Sequence, residues 1–86
     1  MFYVYLIKSI PFPKQHYVGF SENHEQRLEY HNDGKSTHTN KFKPWELICY
    51  FAFTNIEQAK EFEKYLKTGS GRAFMKKHFL KNYEQR

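Results

Sequence analysis

The 86-residue sequence is poor in the residues that cross-link or punctuate a chain. Its single cysteine, Cys49, excludes an internal disulfide and lies in an apolar run where a buried, inert thiol is the ordinary state, so a reducing, cytoplasmic compartment is expected. No segment approaches about 18 consecutive apolar residues, and the apolar start is too short for a signal peptide, so a soluble protein with no membrane partner is expected. Three prolines and four glycines form no tract, no repeat occurs, and residues 1–86 are expected to fold as a single domain. His16, His24, His31, His38 and His78 lack the paired Cys/His spacing of a structural zinc site, and neither a Gly-rich nucleotide loop nor a nucleophile elbow occurs. Acids are scarce too: 9 Asp and Glu face 14 Lys and Arg, for a charge of +5 and a pI near 9.4. That balance favours a polyanionic partner, nucleic acid first, although it also serves solubility alone.

Aromatic residues are abundant, at 20%, enough to close a modest core. Phe2 to Ile7 reads as a buried strand ended by Pro11 and Pro13, and Gln15 to Phe20 as a second strand close enough to form an antiparallel hairpin. Ser21 or Asn23 can cap a helix that runs to Asn32, where Asn32-Asp33-Gly34 supplies a stop. Leu28 is that helix's only aliphatic residue, while His24, Arg27 and His31 fall along one face as a cationic stripe. Lys35 to Pro44 reads as an exposed loop, and Trp45 to Phe53 as a third strand with Trp45, Leu47, Cys49, Phe51 and Phe53 on one side. Thr54 with Glu57 forms a capping box opening a second helix that Gly69 can end. Ser70 can cap a third, over Gly71 to Leu80, burying Phe74 and Phe79 and exposing Lys76, Lys77 and Lys81. The expected fold is α+β, a small three-stranded antiparallel sheet flanked by helices in the order β-β-α-β-α-α.

On the second helix, Glu63 falls within the apolar arc of Ile56, Ala59, Phe62 and Leu66. An inward carboxylate calls for a metal ion, an arginine or a cleft, but a Glu63–Lys67 ion pair at the rim of that arc accounts for it equally. Arg27 can present a planar fork to a phosphate and His31 a donor one turn later, or both can be a solvated face. Tyr5 and Tyr17 have the plain alternative of packed strand tyrosines. Gly19 in a strand implies space beside Tyr17 for another group. Thr68 to Arg72 offers free N–H groups and a cation to a phosphate, or is a simple helix-to-helix turn.

Taken in order, Tyr3-Val4-Tyr5, Tyr17-Val18-Gly19, Arg27 and Glu63 make the chain resemble the GIY-YIG nuclease domain of excinuclease subunits, some homing endonucleases and small stand-alone bacterial proteins, over about Phe2 to Leu80. Tyr3 stands where the family signature has glycine, and Val18 replaces isoleucine. The resemblance implies a metal-dependent endonuclease acting on DNA, in repair or recombination. Tyr5, Tyr17, Arg27 and His31 would be catalytic, and Glu63 would hold one Mg²⁺ or Mn²⁺. Tyr17 would be the base toward water, although a phenol titrating near about 10 needs nearby cations for that role. Tyr5 and His31 would orient water or relay its proton, and Asn32 would fix a loop by a hydrogen bond. Lys35, Lys41, Lys43, Lys67 and Arg72 are the cations expected on the nucleic acid, with a protein partner able to supply specificity. The rival readings are a non-catalytic nucleic-acid-binding module and a protein-interaction domain exposing its aromatics.

Overall fold

The computed structural model describes residues 1–80; Lys81, expected on the exposed face of the last helix, lies outside them. Strands β1 (Phe2–Ser9), β2 (His16–Ser21) and β3 (Trp45–Phe53) form one antiparallel sheet in the order β2-β1-β3. The strand richest in aromatic and β-branched residues takes the centre, where both its faces are covered, and Val4 to Ser9 are buried without interruption. Helix α1 (His24–Asn32) follows the hairpin, α2 (Ile56–Leu66) and α3 (Gly69–Met75) follow β3, and a π turn over Lys76–Leu80 continues α3.

Val4, Leu6 and Val18 face α2 and α3, where they pack with Ala59, Leu66, Met75 and Leu80. The π turn separates Met75 and Leu80 by five residues and so sets both toward the core. Tyr5, Ile7 and Trp45 face the other way and pack with Tyr17, Leu28, Phe42 and Leu47. The third strand's five apolar residues therefore do not share one side. A bulge between Leu6 and Ile7 in the β1–β3 pairing matches Leu6 with Cys49 and Ile7 with Leu47, leaving Ile48 extra. The inserted residue inverts the alternation, so Trp45 and Leu47 join the Tyr5 side, while Cys49 and Phe53 pack into the helical core. Burial there pushes the Cys49 thiol up, consistent with an inert role.

The α1 cap is one of the two residues expected, while the α2 and α3 caps move by one or two residues from the sequence expectation. Asn23 caps α1 and Asn55, not Thr54, caps α2, each Oδ1 accepting from the backbone N–H three residues on. Asn is as good a cap as Thr, and β3 reaches Phe53 before the chain can turn. Helix α2 ends at Leu66, Thr68 rather than Ser70 caps α3, and Gly69 begins α3 instead of ending α2. Gly71 is the glycine this corner requires, because a Cβ there would overlap the Tyr65 carbonyl oxygen and the Leu66 Cα where α3 crosses α2. The Gly71 and Arg72 N–H groups already donate to Thr68, so this segment is a helix-to-helix turn. The α1–β3 connection is no open loop: it forms a 3-10 turn over Asn40–Phe42 and buries Thr39, whose carbonyl accepts from the Trp45 indole at 2.9 Å. Asn32 pairs with the Trp45 backbone N–H and C=O like a short strand, fixing the end of this connection. No helix among the described residues is long and apolar enough to cross a membrane.

Candidate active site

Alternation along β1 sends Tyr3, Tyr5 and Ile7 toward α1, and register places Gly19 opposite Tyr5 and Tyr17 opposite Ile7. Gly19 makes room for Tyr5 rather than beside Tyr17, since a Cβ there would overlap the Tyr5 hydroxyl and ring. The space implied in the strand is thus filled by the cross-strand phenol.

Helix α1 supplies the next layer. His31 is 1% exposed, so the stripe along this helix points into the protein rather than into solvent. Its Nε2 lies 2.9 Å from the Tyr5 hydroxyl and its Nδ1 lies 2.7 Å from Thr39 Oγ1. Burial, aided by the Arg27 charge, lowers His31 to about 4, so it is neutral at physiological pH. One tautomer has Nδ1–H donating to Thr39 and Nε2 accepting from Tyr5; the other reverses both bonds and frees the Tyr5 proton. His24, at the start of the same helix, stacks on Tyr50 instead of facing solvent.

Arg27 lies one turn before His31, half-buried, with its guanidinium 4.5 Å from the Tyr30 ring centroid. Its Nε is buried with no hydrogen-bond partner among the described residues. Burial pushes the Tyr5 phenol up to about 12; Arg27 opposes this, while Tyr17 and Glu63 add to it. Tyr5 therefore keeps its proton and acts as a hydrogen-bonding group, not as a phenolate. These influences place Tyr5, Tyr17, Arg27 and Glu63 in one electrostatic neighbourhood, although they come from β1, β2, α1 and α2.

Glu63 lies at the rim of the α2 apolar face, its side chain 23% exposed, rather than facing into the core. Its Oε2 pairs with Lys67 Nζ at 3.2 Å, and the same Nζ lies 5.8 Å from the centre of the Tyr17 ring. The ion pair suggested by the i,i+4 spacing is present, and it points to Tyr17. Beside Tyr17 an open groove of about 440 Å³ runs between the hairpin and α3, with Lys14, Lys67, Arg72 and Lys76 on its walls. Lys67 and Arg72 thus adjoin the site, while Lys35, Lys41 and Lys43 are exposed on the α1–β3 connection and do not line this groove. Thr39 carries no functional signal in the sequence, because its partner His31 is reached only when the connection folds back.

No group of three His, Cys, Asp or Glu side chains gathers among the described residues. One carboxylate still suits Mg²⁺ or Mn²⁺, because such ions keep several waters and complete their shell with substrate phosphates. The Lys67 side chain, 49% exposed, can turn away from Glu63 at little cost.

The three-stranded antiparallel sheet and its helices bring two tyrosines, an arginine and a glutamate into one neighbourhood, with Tyr17 on the wall of a basic groove. The chain belongs to the GIY-YIG catalytic domain family, which matches residues 1–83. It is similar to the structure-specific endonuclease subunit SLX1 of Debaryomyces hansenii, with 40% identity over 74% of this chain and 20% of that protein. The subunit of the same name from Kluyveromyces lactis is 35% identical over 69% of this chain and 23% of that protein. The chain therefore corresponds to about a fifth of the length of these relatives.

Proposed function

We propose that the chain is a metal-dependent endonuclease that hydrolyses phosphodiester bonds in DNA, in repair or recombination. The observation that carries this reading is the convergence of Tyr5, Tyr17, Arg27 and Glu63 from four separate elements beside a groove walled by cations. Arg27, which packs on Tyr30, keeps an Nε without a hydrogen-bond partner among the described residues, a donor available to a phosphate oxygen.

In this mechanism the strand's phosphates run along the groove on Lys14, Arg72 and Lys76, and Arg27 offsets the charge that grows on the oxygens of the scissile phosphate as water attacks. Tyr17 would take the water proton as its phenolate, the form that the neighbouring Lys67 cation favours. Tyr5, protonated and set by neutral His31, orients the attacking water or a phosphate oxygen through its hydroxyl. Thr39 holds His31 in place and so fixes the Tyr5 hydroxyl direction. Glu63 would hold one Mg²⁺ or Mn²⁺, which when bound neutralises phosphate oxygens and stabilises the leaving oxygen. Specificity would come from a protein partner, in keeping with relatives described as subunits.

The test is cleavage of labelled single-stranded, duplex, flap and branched DNA with Mg²⁺, with Mn²⁺ and with chelator. Metal-dependent cutting that Glu63→Ala abolishes while the fold survives is the expected result. Undiminished turnover in purified Glu63→Ala sinks the metal role of Glu63. The Glu63–Lys67 ion pair favours a second reading, a non-catalytic binding module of the same fold. Salt-sensitive DNA binding with no cleavage of any substrate, with either metal, would select it.

A further inference from the structure

Tyr50 is the residue directly opposite Tyr5 on β3, so it shares the face that carries the candidate catalytic tyrosines. Its ring stacks on His24 at a centroid distance of 3.9 Å with 22° between planes, and it meets the Tyr3 ring edge-on at 5.5 Å. Tyr3 lies 4.8 Å from His24, which closes a three-ring cluster drawn from β1, β3 and the start of α1. Tyr50 is nonetheless 47% exposed. A ring fixed by two aromatic neighbours yet open to solvent, with its strand partner in the candidate active site, is a rigid surface in search of a flat occupant.

Charge distinguishes the two flanks of the site. On the Tyr17 side the groove is walled by Lys14, Lys67, Arg72 and Lys76, which suits a phosphate backbone. On the Tyr5 side, the three rings offer π faces, and the cation of that side, Arg27, is half-buried against Tyr30 and Tyr5, so the exposed Tyr50 ring suits a base rather than a phosphate. Tyr3 is also the residue that departs from the glycine of the family signature, and its ring is what completes the cluster.

We propose that Tyr3, His24 and Tyr50 form a stacking platform for one unpaired nucleobase of the strand whose phosphate occupies the adjoining site. This rests on the nuclease reading for the identity of the polymer, but the platform itself can be tested without cleavage. An unpaired base is required because a duplex presents its bases edge-on in the grooves and buries their faces, whereas single strands offer a π face that aromatic side chains take up without regard to sequence.

The experiment is binding, in chelator, of a single-stranded oligonucleotide carrying 2-aminopurine and of a matched oligonucleotide with abasic sites and the same phosphates. Wild type is expected to quench 2-aminopurine fluorescence and to bind the abasic strand about 5- to 150-fold more weakly, the range that stacking of one base spans. Tyr50→Leu should lose the quenching and bind both strands alike, and Tyr50→Phe, which keeps the ring, should restore both signals. Thermal unfolding of each variant separates a lost platform from a lost fold, since His24 also pins α1 to the sheet through these rings. Equal affinity of wild type for both strands, without quenching, overturns the platform while leaving phosphate binding and the nuclease reading intact. Cleavage lost in Glu63→Ala, with base-dependent binding retained, supports both.

Discussion

The two faces of the same three strands follow different rules. Leu6 and Tyr5 are neighbours on β1, both 1% exposed, yet Leu6 packs among Val4, Ala59, Leu66 and Leu80, and Tyr5 meets His31, Gly19 and the influence of Arg27 and Glu63. The core of the helical side is apolar, so its residues are held by area removed from water. The tyrosine side buries polar groups, each of which needs a partner, and those partners come from separate elements. Burial therefore stabilises the fold on one face and tunes chemistry on the other: it keeps His31 neutral at about 4 and pushes Tyr5 up to about 12.

Substitutions that treat the faces differently test this contrast. Arg27→Gln should lower the cleavage rate by about 10²- to 10³-fold, the scale of losing one charge-stabilising group, while the urea midpoint changes little. A rate within a few-fold of wild type would remove Arg27 from the chemistry. Leu6→Ala should do the reverse, costing about 2–5 kcal/mol in urea unfolding and leaving turnover per folded molecule unchanged; a comparable loss of turnover would show that the faces are not separable.

Gly19→Ala should strike both properties. Its Cβ overlaps the Tyr5 ring, a rigid group wedged between strands, so about 1–3 kcal/mol of stability should be lost together with cleavage. Wild-type behaviour in calorimetry and in the cleavage assay would mean that Tyr5 has another resting place. The most gradual effect is the pH response of His31, spread over the units between its unfolded and folded proton affinities. The unfolded chain binds this proton near 6.5 and the folded one near 4, so its stability contribution is complete above 6.5 and falls as pH drops toward 4, by up to about 1.4 kcal/mol per unit. His31→Gln should flatten that slope relative to wild type, and identical slopes would show that His31 protonates freely in the fold.

The elements were legible because their signals are local. The strand at Trp45 to Phe53, the cap at Asn23 and the stop at Asn32-Asp33-Gly34 each depend on residues within a few positions, and Gly34 adopts φ +75° as a stop requires. The family was legible in the ordered set Tyr5, Tyr17, Arg27 and Glu63, and the family match over residues 1–83 agrees with it. The surroundings of those residues were not. The bulge at Ile48 leaves no mark in an apolar run, so alternation along β3 put Trp45 and Leu47 on the wrong side. His31 read as part of a solvated stripe because α1 has so little apolar surface, and only its seat between Tyr5 and Thr39 identifies it as buried.

By itself the sequence determined the α+β order of elements, the basic balance and the identity of the residues available for chemistry, because periodicity, capping and composition act over short stretches. Tertiary structure alone decided which face each of those residues occupies, that Gly19 shelters the Tyr5 ring, that Lys67 ties Glu63 toward Tyr17, and that Tyr3, His24 and Tyr50 meet. Those outcomes depend on strand register and on helices crossing the sheet, which bring together groups as far apart in the chain as Tyr5 and Glu63, 58 positions, or Val4 and Leu80, 76 positions. A proton affinity or a stacking distance is a property of that meeting and of no residue alone.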